Sequence, residues 1–287
     1  MTTRTPLRYP GGKSRLTGFI KMVMDENKLA GGEYAEPYAG GAGVAINLLS
    51  SGHASHIHIN DLSPAVFAFW KSVFDQPDEF CQLIRDTPVT MTTWHRQKAL
   101  FDNAKNLSML ELGFAAFFLN RTNRSGILAG GVIGGKEQAG KWKIDARYHK
   151  ENLCLKIETI STFADQVSLH QLDAEKFLDR VCPILPKRAL IFLDPPYYVK
   201  SDRLYQNLYS PEDHARIAKK VRKLSKAWVV SYDDVPEVRK LYEGLPRISY
   251  SLQYSAGEKH LGAEALFLSP KLKEMDIECP LSVATYG

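Results

Sequence analysis

Residues 33 to 62 run as a strand, a glycine loop, a helix and a second strand, and this order constrains the fold more than any other stretch of the chain. The segments are Glu33-Tyr34-Ala35-Glu36, then Pro37-Tyr38-Ala39-Gly40-Gly41-Ala42-Gly43, then Val44 to Ser51, then Ile57-His58-Ile59-Asn60-Asp61. Strands joined through a helix pair in parallel, so this is a βαβ unit. Further strand candidates follow at Val167-Ser168-Leu169-His170, Ala189 to Leu193, Trp228-Val229-Val230-Ser231 and Ala265-Leu266-Phe267-Leu268, with a charged helix at Pro211 to Ser225. The alternation predicts an α/β fold with a mostly parallel, doubly wound sheet.

Between the two blocks, over residues 63 to 155, the pattern turns helical, as in Leu107 to Leu119. This predicts an inserted, mainly helical subdomain, leaving residues 1–62 and 156–287 as the sheet-bearing domain. The segment Gly126 to Lys143 carries many glycines with Lys136, Lys141, Trp142 and Lys143, and is expected to be a mobile loop or hairpin. A hydrophobic content of 44% and a charged content of 24% are those of a soluble globular protein, and there is no apolar stretch of membrane-spanning length. The N-terminus lacks the apolar core of a signal peptide, so a cytoplasmic protein with no membrane partner is expected. Cys81, Cys154, Cys182 and Cys279 form no CxxC pair, which argues against a zinc site or a disulfide framework. The net charge of +5 is compatible with a polyanionic partner and decides little by itself.

Asp194-Pro195-Pro196-Tyr197 follows directly on the apolar run Ala189 to Leu193, so an acid, two ring-locked residues and an aromatic stand where a buried strand ends. Each proline fixes φ and lacks an N–H, so the turn offers acceptors and few donors. A carboxylate and backbone carbonyls converging beside an aromatic ring suit a planar amine, such as the exocyclic amine of a nucleobase. The tetrapeptide alone is equally consistent with a strand stop, because Asp-Pro is a common turn starter.

The loop Gly40-Gly41-Ala42-Gly43 ends one strand and opens a helix, and Asp61 closes the next strand about twenty residues on, the spacing at which a carboxylate reaches a ribose diol. An adenosine-bearing cofactor is implied. A dinucleotide would set its pyrophosphate at the helix start, yet Glu36 would repel it and the glycines do not follow GxGxxG. S-adenosylmethionine has no phosphate and carries a cationic sulfonium and ammonium, so it fits better on electrostatic grounds. A second glycine element, Tyr9-Pro10-Gly11-Gly12-Lys13, places an aromatic and a lysine where they can close over the cofactor's carboxylate end, though alone it is only a turn signal.

Taken in order, Arg8-Tyr9-Pro10-Gly11-Gly12-Lys13, Glu36-Pro37-Tyr38-Ala39-Gly40-Gly41, Asn60-Asp61, Asn120-Arg121 and Asp194-Pro195-Pro196-Tyr197 resemble the motifs of Dam-type adenine-specific DNA methyltransferases, over nearly the whole chain. The resemblance implies a Rossmann-like methyltransferase sheet, S-adenosylmethionine as methyl donor, and methylation of the N6 amine of adenine in a short site of double-stranded DNA. It assigns Tyr9, Gly12 and Lys13, the loop residues Glu36, Pro37, Tyr38, Gly40, Gly41 and Gly43, and the acids Asp61, Asp173 and Asp194 to the cofactor. Asp194, Pro195, Pro196 and Tyr197 become the catalytic turn. In this reading Asp194 and the Pro195 carbonyl accept the two N–H bonds of a flipped-out adenine, with Tyr197 stacked against its ring. No metal is required.

The insertion would then carry target recognition. Asn120-Arg121-Thr122-Asn123-Arg124-Ser125-Gly126 has the residue types that read base edges and phosphates, with Arg121, Asn123 and Arg124 as the candidates; Lys136 and Lys141 are candidates for phosphate contacts. Family members that methylate GATC continue this turn with basic and aromatic residues, whereas this chain has Ile127-Leu128-Ala129-Gly130-Gly131, which argues against a GATC target. A cognate restriction endonuclease acting on the same site is a possible partner. A methylase of RNA adenine or of the cytosine amine, and a catalytically silent DNA-binding regulator, are the alternatives.

Overall fold

The computed structural model describes residues 5–8, 13–199, 209–254, 260–273 and 281, with backbone alone at 251–254 and 260–262. The strands β1 (Gly32–Glu36), β2 (Ala54–Asn60), β3 (Val167–His170), β4 (Ala189–Leu193), β5 (Ala227–Asp233), β6 (Arg247–Tyr254) and β7 (His260–Leu268) form one sheet in the order β3-β2-β1-β4-β5-β7-β6. The first five are parallel, and β7 runs antiparallel between β5 and β6. The order reverses between the neighbours β1 and β4. Open α/β sheets bind ligands beyond the carboxyl ends of the strands at such a switch point.

Every residue of β4 is buried, because both faces of the strand are covered. Leu190 and Phe192 belong to the core on one side of the sheet, and Ala189, Ile191 and Leu193 to the core on the other. The first side is packed by α1 (Thr17–Glu26) and α2 (Gly43–Ser50), together with the helices that interrupt the sheet between β2 and β3: α3 (Pro64–Asp75), α4 (Pro77–Asp86), α5 (Met91–Asp102), α6 (Met109–Thr122) and α7 (Lys150–Ser161). The second side takes α8 (Ala174–Arg180), α9 (Pro211–Val221) and α10 (Pro236–Leu241). Phe69 of α3 stacks on Phe117 of α6 at 5.9 Å, and Phe80 of α4 meets both rings edge-on. These phenylalanines share one core with Tyr34 of β1 and Ile57 of β2, so the helical segment and the sheet have no apolar boundary between them.

Several elements differ from expectation. The charged helix ends at Val221, and on its solvent-exposed face Arg216 and Lys220 make surface ion pairs with Glu175 and Asp179 of α8. Helix α1 and the edge strand β6 have no counterpart among the expected elements; β6 alternates weakly, over Arg247-Ile248-Ser249-Tyr250 alone. The glycine-rich stretch is folded around Gln138, whose amide donates to the Ile133 and Gly135 carbonyls and accepts from the Ile144 N–H. Cys81, Cys154 and Cys182 are buried free thiols, and Cys279 lies outside the described residues. Among the described residues no helix is long and apolar enough to cross a membrane.

The crossing of α3 and α6 is set by small residues. Ala65, Ala68, Leu112 and Ala116 form its apolar contact, and Gly113 lies against the backbone of α3. A Cβ at Gly113 would stand 2.6 Å from the Ala68 carbonyl oxygen, which cannot rotate away. Gly113→Ala is therefore expected to force the helices apart and to cost about 1–3 kcal/mol by chemical denaturation, despite the better helix propensity of alanine.

Candidate active site

The carboxyl edge of the parallel strands collects acids. Glu36 is the last residue of β1, Asp61 follows β2 and Asp194 follows β4, and all three border one cavity of about 710 Å³. Asp173, beyond β3, does not line it. Its carboxylate caps α8 through the Glu175 N–H at 2.9 Å, while the flanking Leu172 and Ala174 face the cavity.

The glycine loop is held from several directions. Asp61 accepts the Gly40 N–H at 3.0 Å on one oxygen and the Ser63 N–H at 2.9 Å on the other. The Gly40 carbonyl accepts from the Trp70 indole at 2.9 Å, which ties the loop to α3. Gly40 sits at φ 46°, in the left-handed region that a side chain disfavours. Asn60 donates to the Pro37 and Leu172 carbonyls and accepts the Leu172 N–H, joining the ends of β1, β2 and β3. Pro37, Tyr38, Gly41 and Gly43 line the cavity, and the Tyr38 and Tyr209 hydroxyls meet at 3.1 Å. Glu36 is buried, accepting from the Tyr34 hydroxyl at 2.9 Å and from the Ala45 N–H in the first turn of α2 at 3.1 Å.

All three acids hold their protons more tightly than usual. Burial pushes the Glu36 carboxyl up to about 8, against the pull of its two hydrogen bonds. Burial likewise raises Asp61 to about 6 despite two backbone donors. Asp194 rises to about 6, chiefly through burial; the Lys13 charge opposes that rise and the Glu264 charge adds to it.

Around Asp194 the geometry is more closely specified. The Lys13 ammonium donates to the Tyr197 hydroxyl at 2.8 Å and to Glu264 at 3.0 Å, and stands 3.4 Å from Asp194 Oδ1. Tyr197 donates its hydroxyl to the same Glu264 oxygen, and Tyr250 donates to the other at 2.6 Å. Asp233, at the end of β5, accepts the Tyr198 N–H at 2.9 Å and the Val199 N–H at 3.1 Å. Asp194 Oδ1 is buried and has no hydrogen-bond partner among the described residues, its link to Lys13 being an ion pair beyond hydrogen-bond geometry. Asp194 and Pro196 line the cavity, with Pro195 buried behind them. Tyr197 does not present the stacking face expected of it. It is only 1% exposed, because its hydroxyl finds both partners inside the protein and its ring lies 4.9 Å under the Lys13 ammonium.

The DNA-reading candidates separate into two groups. Asn123 is fully buried: its carbonyl oxygen accepts from the Trp94 indole at 2.7 Å and its amide donates to the Ile127 and Leu128 carbonyls. It shapes the turn and is withdrawn from any base edge. Asn120 is also internal, accepting the Arg8 N–H and donating to the Arg8 and Gly126 carbonyls. Arg121 lines the cavity, half-buried, and donates to the Arg147 and Pro6 carbonyls. Burial, then Arg8 and Arg147, pull its guanidinium down to about 10. Arg124, Lys136 and Lys141 are exposed. Tyr9 and Gly12 lie outside the described residues.

The motifs and this geometry match a known family: the D12 class N6 adenine-specific DNA methyltransferases, over residues 9–256. The chain belongs to that family. It is thus an adenine-specific DNA methyltransferase with a Rossmann-like α/β sheet. Among solved structures, a Pyrococcus horikoshii protein described as a "putative RNA methyltransferase" aligns over 92% of this chain and 85% of its own, at 11% identity and a TM-score of 0.43. A Legionella pneumophila protein of the DUF519 family aligns over 91% of this chain and 84% of its own, at 14% identity and a TM-score of 0.34. No curated protein sequence matches it.

Two features of this methyltransferase's site went unread in the sequence: Glu264, and Asn120 in its clamping role. Glu264 carried a signal, as a charge inside the apolar run Leu261 to Leu268. Because Glu36, Asp61 and Asp194 each bind protons more tightly folded than unfolded, their contribution to stability is fully present below the ordinary values of 4.5 and 3.8. It is lost as pH rises through about 6 for the aspartates and about 8 for Glu36. The ligand-free protein should accordingly melt at lower temperature at pH 9 than at pH 5, and Glu36→Gln should flatten the part of that decline above pH 7, as read by scanning calorimetry.

Proposed function

We propose that the enzyme transfers a methyl group from S-adenosylmethionine directly to the N6 amine of an adenine extruded from a short duplex site, with Asp194 as the group that receives the amine. The observation that carries this is the buried, unbonded Oδ1 of Asp194 in a cavity shared with the glycine loop and Asp61. The donor set fits this cofactor. Three carboxyls of raised proton affinity, with Lys13 as the cation that reaches Asp194, favour a ligand that brings positive charge and no phosphate to them, while Arg8, Arg15, Arg121 and Lys156 line the same cavity.

S-adenosylmethionine supplies a methyl group made electrophilic by its sulfonium. The chain supplies the rest. Asp61 retains free lone pairs for a ribose hydroxyl while it fixes Gly40 and Ser63. Glu36, Pro37, Tyr38, Gly41 and Gly43 form the adjoining wall, shaped by Gly40, and Tyr9, Gly12 and Lys13 are assigned to the same ligand. Asp194 and the Pro195 carbonyl accept the two N–H bonds of the amine, favouring a pyramidal nitrogen whose lone pair can attack, and Asp194 takes the proton that the methylated nitrogen must shed. A base inside the duplex cannot enter a cavity at the end of a sheet, so it has to be flipped out. Tyr197 serves from behind by fixing Lys13. Residues 63–155 take the target-recognition role, with Arg121 on the cavity side and Arg124, Lys136 and Lys141 on the outside, in the cytoplasmic setting of DNA.

Label transfer from tritiated S-adenosylmethionine to unmethylated genomic DNA, followed by mapping of modified adenines, tests the reading. Asp194→Ala should lower transfer by about 10²–10⁴-fold and leave cofactor affinity within a few-fold. Label on cytosine or only on RNA would overturn it. In the same assay Arg124→Ala should weaken DNA binding and reduce the slope of log affinity against log salt by about 1.

A further inference from the structure

We propose that Glu264 is a positioning residue that neutralises Lys13, so that the negative charge of Asp194 is left for the amine of the target base. The proposal rests on the function proposed above for Asp194. Its basis is the placement of one ammonium between two carboxylates: Lys13 Nζ lies 3.0 Å from Glu264 in hydrogen-bond geometry and 3.4 Å from Asp194 outside it.

Glu264 lies in the middle of β7, paired in register with Tyr250 of β6 and Asp233 of β5, and is fully buried. A buried carboxylate needs donors or a counter-charge on both oxygens. It has them in Lys13 and Tyr197 on Oε1 and Tyr250 on Oε2. The ammonium that Asp194 would otherwise hold alone is thereby shared with Glu264, which takes the hydrogen bond while the ion pair to Asp194 persists at 3.4 Å. With Lys13 and Glu264 cancelling, the trio carries one net negative charge, on the Asp194 carboxylate that lines the cavity. That charge is what a nitrogen requires as it becomes cationic: its lone pair bonds to the methyl carbon, the carbon–sulfur pair returns to sulfur, and the released proton goes to Asp194. If Glu264 were absent, Lys13 would pair with Asp194 alone, and the carboxylate would be a weaker base and a weaker acceptor. Among the described residues the other titratable groups that feel Asp194 are Tyr34 and Glu36 from β1, Tyr232 from β5 and Tyr250 from β6, with Tyr197 beside Lys13, and none of these brings positive charge.

The test is the pH dependence of the single-turnover methylation rate on unmethylated genomic DNA with saturating cofactor. In Glu264→Gln the acid limb, where Asp194 protonates, should move down by about one pH unit, with a lower plateau, because Lys13 collapses onto Asp194. Glu264→Asp, which keeps the charge, should lose rate while its acid limb stays in place. Lys13→Met combined with Glu264→Gln removes both charges together, and replacing a buried ion pair by neutral groups is tolerated better than breaking it, so this variant covers the case in which the single one does not fold. Its acid limb should lie near that of the unmodified protein. A rate loss uniform across pH in Glu264→Gln, or an acid limb in the double variant displaced downward, would make Glu264 a structural residue only. Full activity in Asp194→Asn would instead overturn the role of Asp194 itself, whatever the Glu264 variants do.

Discussion

The structure depends on an electrostatic imbalance at the carboxyl edge of its parallel strands. Glu36, Asp61 and Asp194 are drawn out of water around one cavity, and Lys13 is the cation that reaches Asp194. Desolvation penalises their ionised forms, so in the ligand-free protein protons substitute for missing counter-charge. A site of this kind is stabilised by whatever restores the charge. A ligand that carries a sulfonium and an ammonium does so without a metal and without phosphate, and the free energy released on binding it includes the relief of that penalty.

A second constraint follows from the covalent chemistry of the catalytic turn. Pro195 and Pro196 have no N–H, so the turn cannot be tied down at the two positions that matter most. The ties fall on the residues just beyond. Asp233 takes the Tyr198 and Val199 N–H groups, and Glu264 takes the Tyr197 hydroxyl. Asp233 and Glu264 are direct cross-strand partners, and two carboxylates so placed would repel if both were left bare. Asp233 is satisfied by the backbone of the turn, and Glu264 by Tyr197 of the turn together with Lys13 and Tyr250, so placing the turn adds to the relief of that repulsion. The antiparallel β6–β7 hairpin, which adds nothing to the doubly wound alternation, thus completes the active site by delivering Glu264 and Tyr250.

What could be read in the sequence was what lies close along the chain. The glycine loop, the acids that end β1, β2 and β4, and the proline turn are each contained in a few residues, and the strand that precedes each one sets its direction. Tyr197 shows where that locality stops. Its position beside Asp194 suggested a stacking surface, but the side chain is held inside the protein by Lys13 and Glu264, which are 184 and 67 residues away. Asn123 was misread for a similar reason: a polar residue in a polar turn looks solvated until Trp94, 29 residues earlier, claims its carbonyl oxygen. The edge strand β6 alternates weakly and is recognisable mainly through its pairing with β7.

The cavity also has basic lining. Arg8, Arg15, Arg121 and Lys156 border it together with the acids, and Arg147 adds its charge to Arg8 and Arg121. The dominant influences on Arg121 are burial, Arg8 and Arg147, and its donors go to backbone carbonyls rather than to a carboxylate. Asn120 holds Arg8 against Gly126, which fixes this basic wall to the turn that begins the recognition segment. Acidic and basic side chains thus share the lining of one cavity with Asp194 among them, so its wall carries both signs of charge rather than one.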